Sequence, residues 1–263
     1  MLLRRSIWHD LAMEHAQSSL EHPLVERLLG LMDRKHHWAY PALTRPGLNR
    51  DQLLVHFRHE YLVYVRDFPV LLARALGNVP PVDEVRRALA ANLYEEQTGG
   101  VSKTGPHPDL FITMMNGLGF SRSDFADDEV WLHPDARAYR DFLFRESAVA
   151  PWQSAVALLT IFVEGSANER AELAGTYVRR RGEDAVLQHP LVQFYGCPPD
   201  AMVLRRAHAE VEGDHRKDAW SMVLSNAIPE SRVEAQIYAV CDEALVFWLR
   251  YRDGVAQRMG LTR

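Results

Sequence analysis

Apolar residues recur at intervals of three and four along most of the chain, as in Leu53, Leu54, Phe57, Tyr61, Tyr64, Val65 and Phe68. That is the period of one face of an α-helix, not the alternation of a half-buried strand. Strand signals with Asn-Gly or Asp-Gly hairpin turns between them are absent. The stretch predicts a long amphipathic helix from about Arg50 to Leu76, kinked at Pro69. Similar spacing runs through "EHPLVERLLGLMDRKHH", "PVDEVRRALAANLYEE", "HPDLFITMMNGLG", "HPDARAYRDFLFRESA", "WQSAVALLTIFVEGSANERAELAGTYVRR", "PDAMVLRRAHAEVEGDHRKDAWSMVLSNA" and "PESRVEAQIYAVCDEALVFWLRYRDGVAQR". Short connections rich in Gly, Pro and Asp separate them, such as "GNVPP", "TGGVSKTGP" and "YGCPPD". None is long enough to act as a linker between domains. The expectation is an all-α fold, a single domain over residues 1–263 with seven or eight helices.

Charge and cysteine usage narrow the function. A formal net charge of -5 leaves no basic footprint, so nucleic acid is an unsuitable partner. The run "RRRGED" at Arg179–Asp184 is too short to change that. Cys197 and Cys241 lie far apart at no metal or redox spacing, which points to a reducing compartment. The opening "MLLRRSIWHDLAMEH" has neither the apolar length nor the cleavage site of a signal peptide. The longest apolar run, Ala155–Val163, is far short of a membrane span. A cytoplasmic protein with no membrane partner, acting on a small molecule and free to form a homodimer, is expected.

One segment concentrates metal-binding side chains. "RRAHAEVEGDHRKDAW", Arg205–Trp220, falls on a helix of roughly Pro199–Ala227. At 100° per residue, Glu212 lies about 40° from His208 around the axis and His215 about 20° to the other side. The three therefore share a face but span roughly 10 Å along the axis, too far for one ion and suitable for two. Glu210, Asp214, Arg216 and Asp218 point elsewhere and read as the solvated side. With twelve histidines in the chain, an exposed charged helix remains an alternative on this pattern alone.

Other carboxylates strengthen the metal reading. Glu164 follows the apolar run in "LLTIFVEGSANE". A carboxylate on a helix apolar all round must be paired, protonated or metal-bound, a salt bridge to arginine being the plainer choice. In "ANLYEEQ", Leu89, Leu93 and Glu96 form one stripe, which turns Glu96 inward and Glu95 outward. His107 would lie about 16 Å beyond Glu96 on an unbroken helix. The breaker "TGGVSKTGP" either returns His107 to the site or leaves "HP" as a simple helix start.

At these residues the chain resembles the haem-oxygenase-like di-iron oxidases and oxygenases. Their superfamily also holds thiaminase-like proteins and pyrroloquinoline quinone synthase. The likeness rests on "NLYEEQ" followed by a histidine, "FVEGSANE" on a later helix and "HAEVEGDH" on the penultimate one, and spans roughly Glu21 to the C-terminus. The alkene-forming fatty-acid decarboxylase, the N-nitrosourea-forming oxygenase and the p-aminobenzoate-forming death-domain-associating protein carry such a Glu, His, Glu, His-x-x-x-Asp/Glu-x-x-His series.

What the resemblance implies is a haem-oxygenase-like bundle in which Glu96, His107, Glu164, His208, Glu212 and His215 ligate two Fe(II) ions, with O2 as co-substrate. Glu96, Glu164 and Glu212 would be the catalytic carboxylates. Glu212 stands where several relatives have aspartate. Some members add a carboxylate from the early helix, for which Glu60 and Asp67 are candidates. Mixed imidazole and carboxylate ligands suit ferrous iron and leave positions open for oxygen. The expected enzyme oxidises a small amino- or carboxyl-bearing metabolite by N-oxygenation, oxidative carbon-carbon cleavage or decarboxylation. Val156, Leu159, Phe162 and Val163 would wall the site against water. Tyr61, Tyr64, Arg66, Trp152 and Tyr195 are pocket candidates that equally suit the core. Two rivals stand beside it: a metal-free helical binding or scaffold protein, and a thiaminase-like hydrolase, which needs a nucleophilic cysteine.

Overall fold

The computed structural model describes residues 22–126, 130–166, 168–177, 180, 182–227 and 231–263, with the side chains of 210–217 outside the description. Every regular element among the described residues is helical. In chain order the α-helices are α1 (Pro23–Arg34), α2 (Tyr40–Leu43), α3 (Arg50–Glu60), α4 (Phe68–Asn78), α5 (Asp83–Thr98), α6 (His107–Gly117) and α7 (Pro134–Val149). They continue with α8 (Trp152–Val156), α9 (Glu169–Leu173), α10 (Gly182–Leu187), α11 (Pro190–Tyr195), α12 (Val203–Leu224) and α13 (Arg232–Arg258). Eight of these have 11 or more residues, and the short ones are connections wound into a turn or so.

Two π-helical segments interrupt the α geometry, Tyr61–Val65 after α3 and Ala157–Val163 after α8. Periodicity does not reveal them, because widening by one residue per turn only shifts the apolar stripe. The expected helix Arg50–Leu76 is thus three pieces. Its break falls at Arg66 and Asp67, where the π turn ends, and Pro69 sits in the first turn of α4, where its missing N–H costs nothing. A second expected helix, Trp152 onward, stops at Glu164 and restarts at Glu169.

The π segment Ala157–Val163 lies in the middle of the bundle, with Ala157 to Phe162 all buried, and packs against α12 and α13. A helix ends with four carbonyls lacking intrahelical donors. Here the buried Lys35 supplies one: its Nζ donates to Phe162 O, to Val163 O at 3.2 Å and to Gly165 O at 3.1 Å. Burial pushes its pKa down to about 7. The indole Nε1 of Trp248 on α13 donates to Lys35 O at 3.1 Å, tying α1 to the last helix. The segment that carries Glu164 is therefore held by Lys35, which α13 holds in turn.

Candidate metal centre

Four helices begin near a His-Pro dipeptide, and three use the histidine identically. His22, His133 and His189 each accept a backbone N–H two residues on through Nδ1, at 3.1, 3.2 and 3.2 Å. They are N-caps of α1, α7 and α11. His107 departs from the pattern. Pro106 takes the cap position, His107 is the first residue of α6, and its ring is buried against α5 and α12. The fourth dipeptide starts a helix and still releases its imidazole for other use.

The loop between α5 and α6 makes that possible. Gly99 ends α5 in the left-handed conformation, with φ 64°, which glycine adopts without steric cost. From there the chain folds back over the end of α5. Backbone N–H groups of Val101 and Ser102 donate to Glu95 Oε2 at 2.8 and 3.0 Å. Glu95 is therefore the peg around which the loop turns, and it is fully buried, not outward-facing as the Leu89–Leu93–Glu96 stripe suggests. The inward face of α5 is Val85, Leu89, Asn92 and Glu95, about one position away from that stripe. Glu96 occupies its flank, with 14% of the side chain exposed.

His107 stands between the two glutamates. Its Nε2 lies 3.1 Å from Glu95 Oε1, and its Nδ1 lies 2.9 Å from Glu96 Oε1 and 3.2 Å from Nε2 of His208 on α12. Burial alone would lower the His107 pKa, but the hydrogen bonds and charges of Glu96 and Glu95 raise it above the ordinary value. Burial would likewise raise Glu95, yet donors from Ser102, His107 and Val101 hold its carboxyl below the usual range. Among the described residues, Glu96, His107 and His208 form a group whose ligand atoms all lie within 4.8 Å of one another.

These donors fit a metal ion. Two imidazole nitrogens and a carboxylate oxygen converge on one point, and ligands held by bonds of about 2.1 Å sit near 3 Å from each other. The mixture of imidazole and carboxylate suits a divalent transition metal, iron and zinc among them.

Glu164 reaches the same region by another route. Nδ2 of Asn92 donates to its Oε1 and Oε2 at 3.1 and 3.2 Å. Asn92 precedes Glu96 by four residues, so the two project from one side of α5 one turn apart. The Asn92 Oδ1 is buried without a partner. Gly165 follows for a steric reason: a Cβ there would lie 2.1 Å from Ile161 O and 2.7 Å from Met32 Cε. The side chains of Glu212 and His215 lie outside the described residues, although both positions belong to α12.

The early-helix carboxylates are engaged elsewhere. Glu60 accepts from Arg252 Nη2 at 2.7 Å and lies 3.4 Å from His56 Nε2, while Asp67 is paired with Arg66 at 2.6 Å. Of the pocket candidates, Tyr61 stacks on Phe111 with centroids 5.5 Å apart, and the Tyr195 hydroxyl donates to Arg45 O at 2.6 Å. Those contacts are packing. Neither cysteine resembles a nucleophile. Cys197 is buried beside Met114 O and Met202 Sδ, and burial pushes the Cys241 thiol up to about 12.

Residues 55–248 match a family model described as an iron-containing redox enzyme. A solved TenA homologue from Pseudomonas syringae pv. tomato str. DC3000 superposes with a TM-score of 0.65 at 16% identity, covering 90% of this chain and 93% of that one. At that identity the likeness concerns the fold. No curated protein matches the chain. No helix among the described residues is long and apolar enough to cross a membrane.

Proposed function

Because the chain belongs to the iron-containing redox enzymes of the haem-oxygenase-like, TenA-type fold, we propose that it is a non-haem di-iron oxidase or oxygenase. It uses O2 to oxidise a small amino- or carboxyl-bearing metabolite. The observation that carries this reading is the convergence of Glu96, His107 and His208 from three helices on one point. Glu96 Oε1, His107 Nδ1 and His208 Nε2 would hold the first ion. Glu164, hydrogen-bonded to Asn92 one helical turn from Glu96, would help to hold a second ion together with Glu212 and His215. In the sequence they follow His208 by four and seven residues, the helical repeat of a shared face. Bound ferrous iron supplies the electrons for oxygen activation that side chains alone lack.

The chain's own residues do the rest. Ala157 to Phe162 present an apolar, dry wall beside Glu164 and keep bulk water from the reacting centre. Lys35 holds the backbone on both sides of Glu164 in place. Asn92 orients the Glu164 carboxylate. A hydrolase working through a cysteine finds no support in two buried thiols whose pKa values are raised.

The test is an anaerobic ferrous titration followed by oxygen. Binding should level off near two ions per chain, and oxygen should produce a visible absorption band. A firm plateau at one ion removes the paired site, and no binding at all returns the scaffold reading.

A further inference from the structure

Glu95 is not one of the three convergent ligands, yet from a fully buried position it makes three hydrogen-bond contacts, one of them to the ligand His107. Its two oxygens have separate tasks. Oε2 accepts the N–H groups of Val101 and Ser102 and closes the loop. Oε1 faces His107 Nε2. An ionised carboxylate only accepts, so Nε2 must carry the proton. Nδ1 faces His208 and a second carboxylate, Glu96, so a metal ion held at that point would displace the Nδ1 proton while the Nε2 proton stays hydrogen-bonded to Glu95.

We propose that Glu95 is a positioning residue that fixes the tautomer and orientation of His107, so that this histidine binds metal through Nδ1. The inference rests on the metal reading above and adds to it a residue and an atom. His208 presents Nε2 to the same point, so the two histidines differ in the nitrogen they offer. A carboxylate behind a metal-binding imidazole raises the ligand's basicity as well as aiming it. A buried carboxylate needs such compensation, and the two backbone donors together with the ring N–H satisfy it.

The geometry also supplies a variant that separates aiming from loop closure. In Glu95→Gln, the amide oxygen in place of Oε2 keeps both backbone N–H contacts, which sets the amide NH2 against His107 Nε2. The ring nitrogen must then accept, and the proton moves to Nδ1. Swapping the amide restores the old tautomer only by breaking two backbone hydrogen bonds. Glu95→Gln should therefore fold with a melting temperature close to wild type and bind Co(II) 10- to 100-fold more weakly, the range outer partners of metal ligands command.

Co(II) titration of the full chain, followed by its visible absorption, reads the affinity. Histidine 15N spectra of the Zn(II)-loaded wild type read which nitrogen is metallated, and this arm stands even if the variant fails to fold. Weakened Co(II) binding in a folded Glu95→Gln, with Zn(II) on His107 Nδ1, supports the role. Unchanged Co(II) affinity in the variant, or Zn(II) on Nε2 of His107, overturns the role of Glu95 while leaving the metal centre standing. Failure of wild type to bind either ion overturns the metal reading itself, and this inference with it.

Discussion

The Nδ1 atom of His107 lies 2.9 Å from Oε1 of Glu96, although eleven residues separate them. A continuous helix would have held the two about 16 Å apart. The reversal at Gly99 and the buried Glu95 peg remove that distance, and α12 then brings His208 to the same nitrogen. The proposed metal site, assembled this way, depends on few side chains, which makes it open to test by substitution.

Glu96→Ala, His107→Ala and His208→Ala should each weaken ferrous or cobaltous binding by more than the 10- to 100-fold that outer partners cost. Glu84→Ala, on the exposed first turn of α5, should leave binding unchanged. Equilibrium dialysis against Fe(II) under argon compares all four. Similar losses at Glu84 and His208 would show that general stability, not ligation, was being measured.

At Glu164 stability and function should part company. A carboxylate beside a dry apolar segment is costly, and metal binding offsets the cost in the loaded protein. Glu164→Gln keeps an oxygen to accept from Asn92 and removes the charge. Its metal-free form should melt no lower than metal-free wild type, while iron-dependent oxygen consumption is lost. Iron at a hundredfold excess over its dissociation constant should stabilise wild type by about 2.7 kcal/mol. An unfolded variant together with an iron-insensitive wild type would make Glu164 a structural residue.

Gly165→Ala probes the turn that presents Glu164. The added methyl would meet Ile161 O at 2.1 Å, and backbone cannot give way as a side chain can. Overpacking of this kind costs about 1–3 kcal/mol. Denaturant unfolding should show the loss, and metal affinity should fall with it because Glu164 is displaced. A variant as stable as wild type would mean the turn relaxes freely.

Acid should destabilise the protein well above the carboxylate range. Burial pushes His56 and His59 each down to about 4 from 6.5. His59 lies 2.6 Å from Val55 O through Nδ1 and accepts from His133 N–H at 3.2 Å through Nε2, an arrangement that only a neutral ring can satisfy. A depressed folded pKa means stability present above pH 6.5 and lost as pH falls toward about 4. Each such histidine adds a slope of about 1.4 kcal/mol per pH unit in that window. Urea unfolding at pH 7, 6 and 5 measures the slope. It should be shallower in His59→Asn, and an identical slope would show that His59 does not titrate as described.

The helical class and most of the longer helices were legible in the sequence, because periodicity is a local property, whereas the division of Arg50–Leu76 at its π turn was not. Period 3.6 marks a helix wherever it packs, and His208, Glu212 and His215 share a face by spacing alone. Only the tertiary structure decided which of two adjacent glutamates was buried. Neighbouring helix positions differ by 100°, so Glu95 and Glu96 exchange roles with a small rotation of α5, and that rotation is set by packing against α4, α6 and α12. His107 shows the same limit. Four His-Pro dipeptides are alike in one dimension, and three cap helices. The fourth turns inward because a loop closed on a carboxylate twelve residues earlier places its ring between α5 and α12, a contact no local pattern encodes.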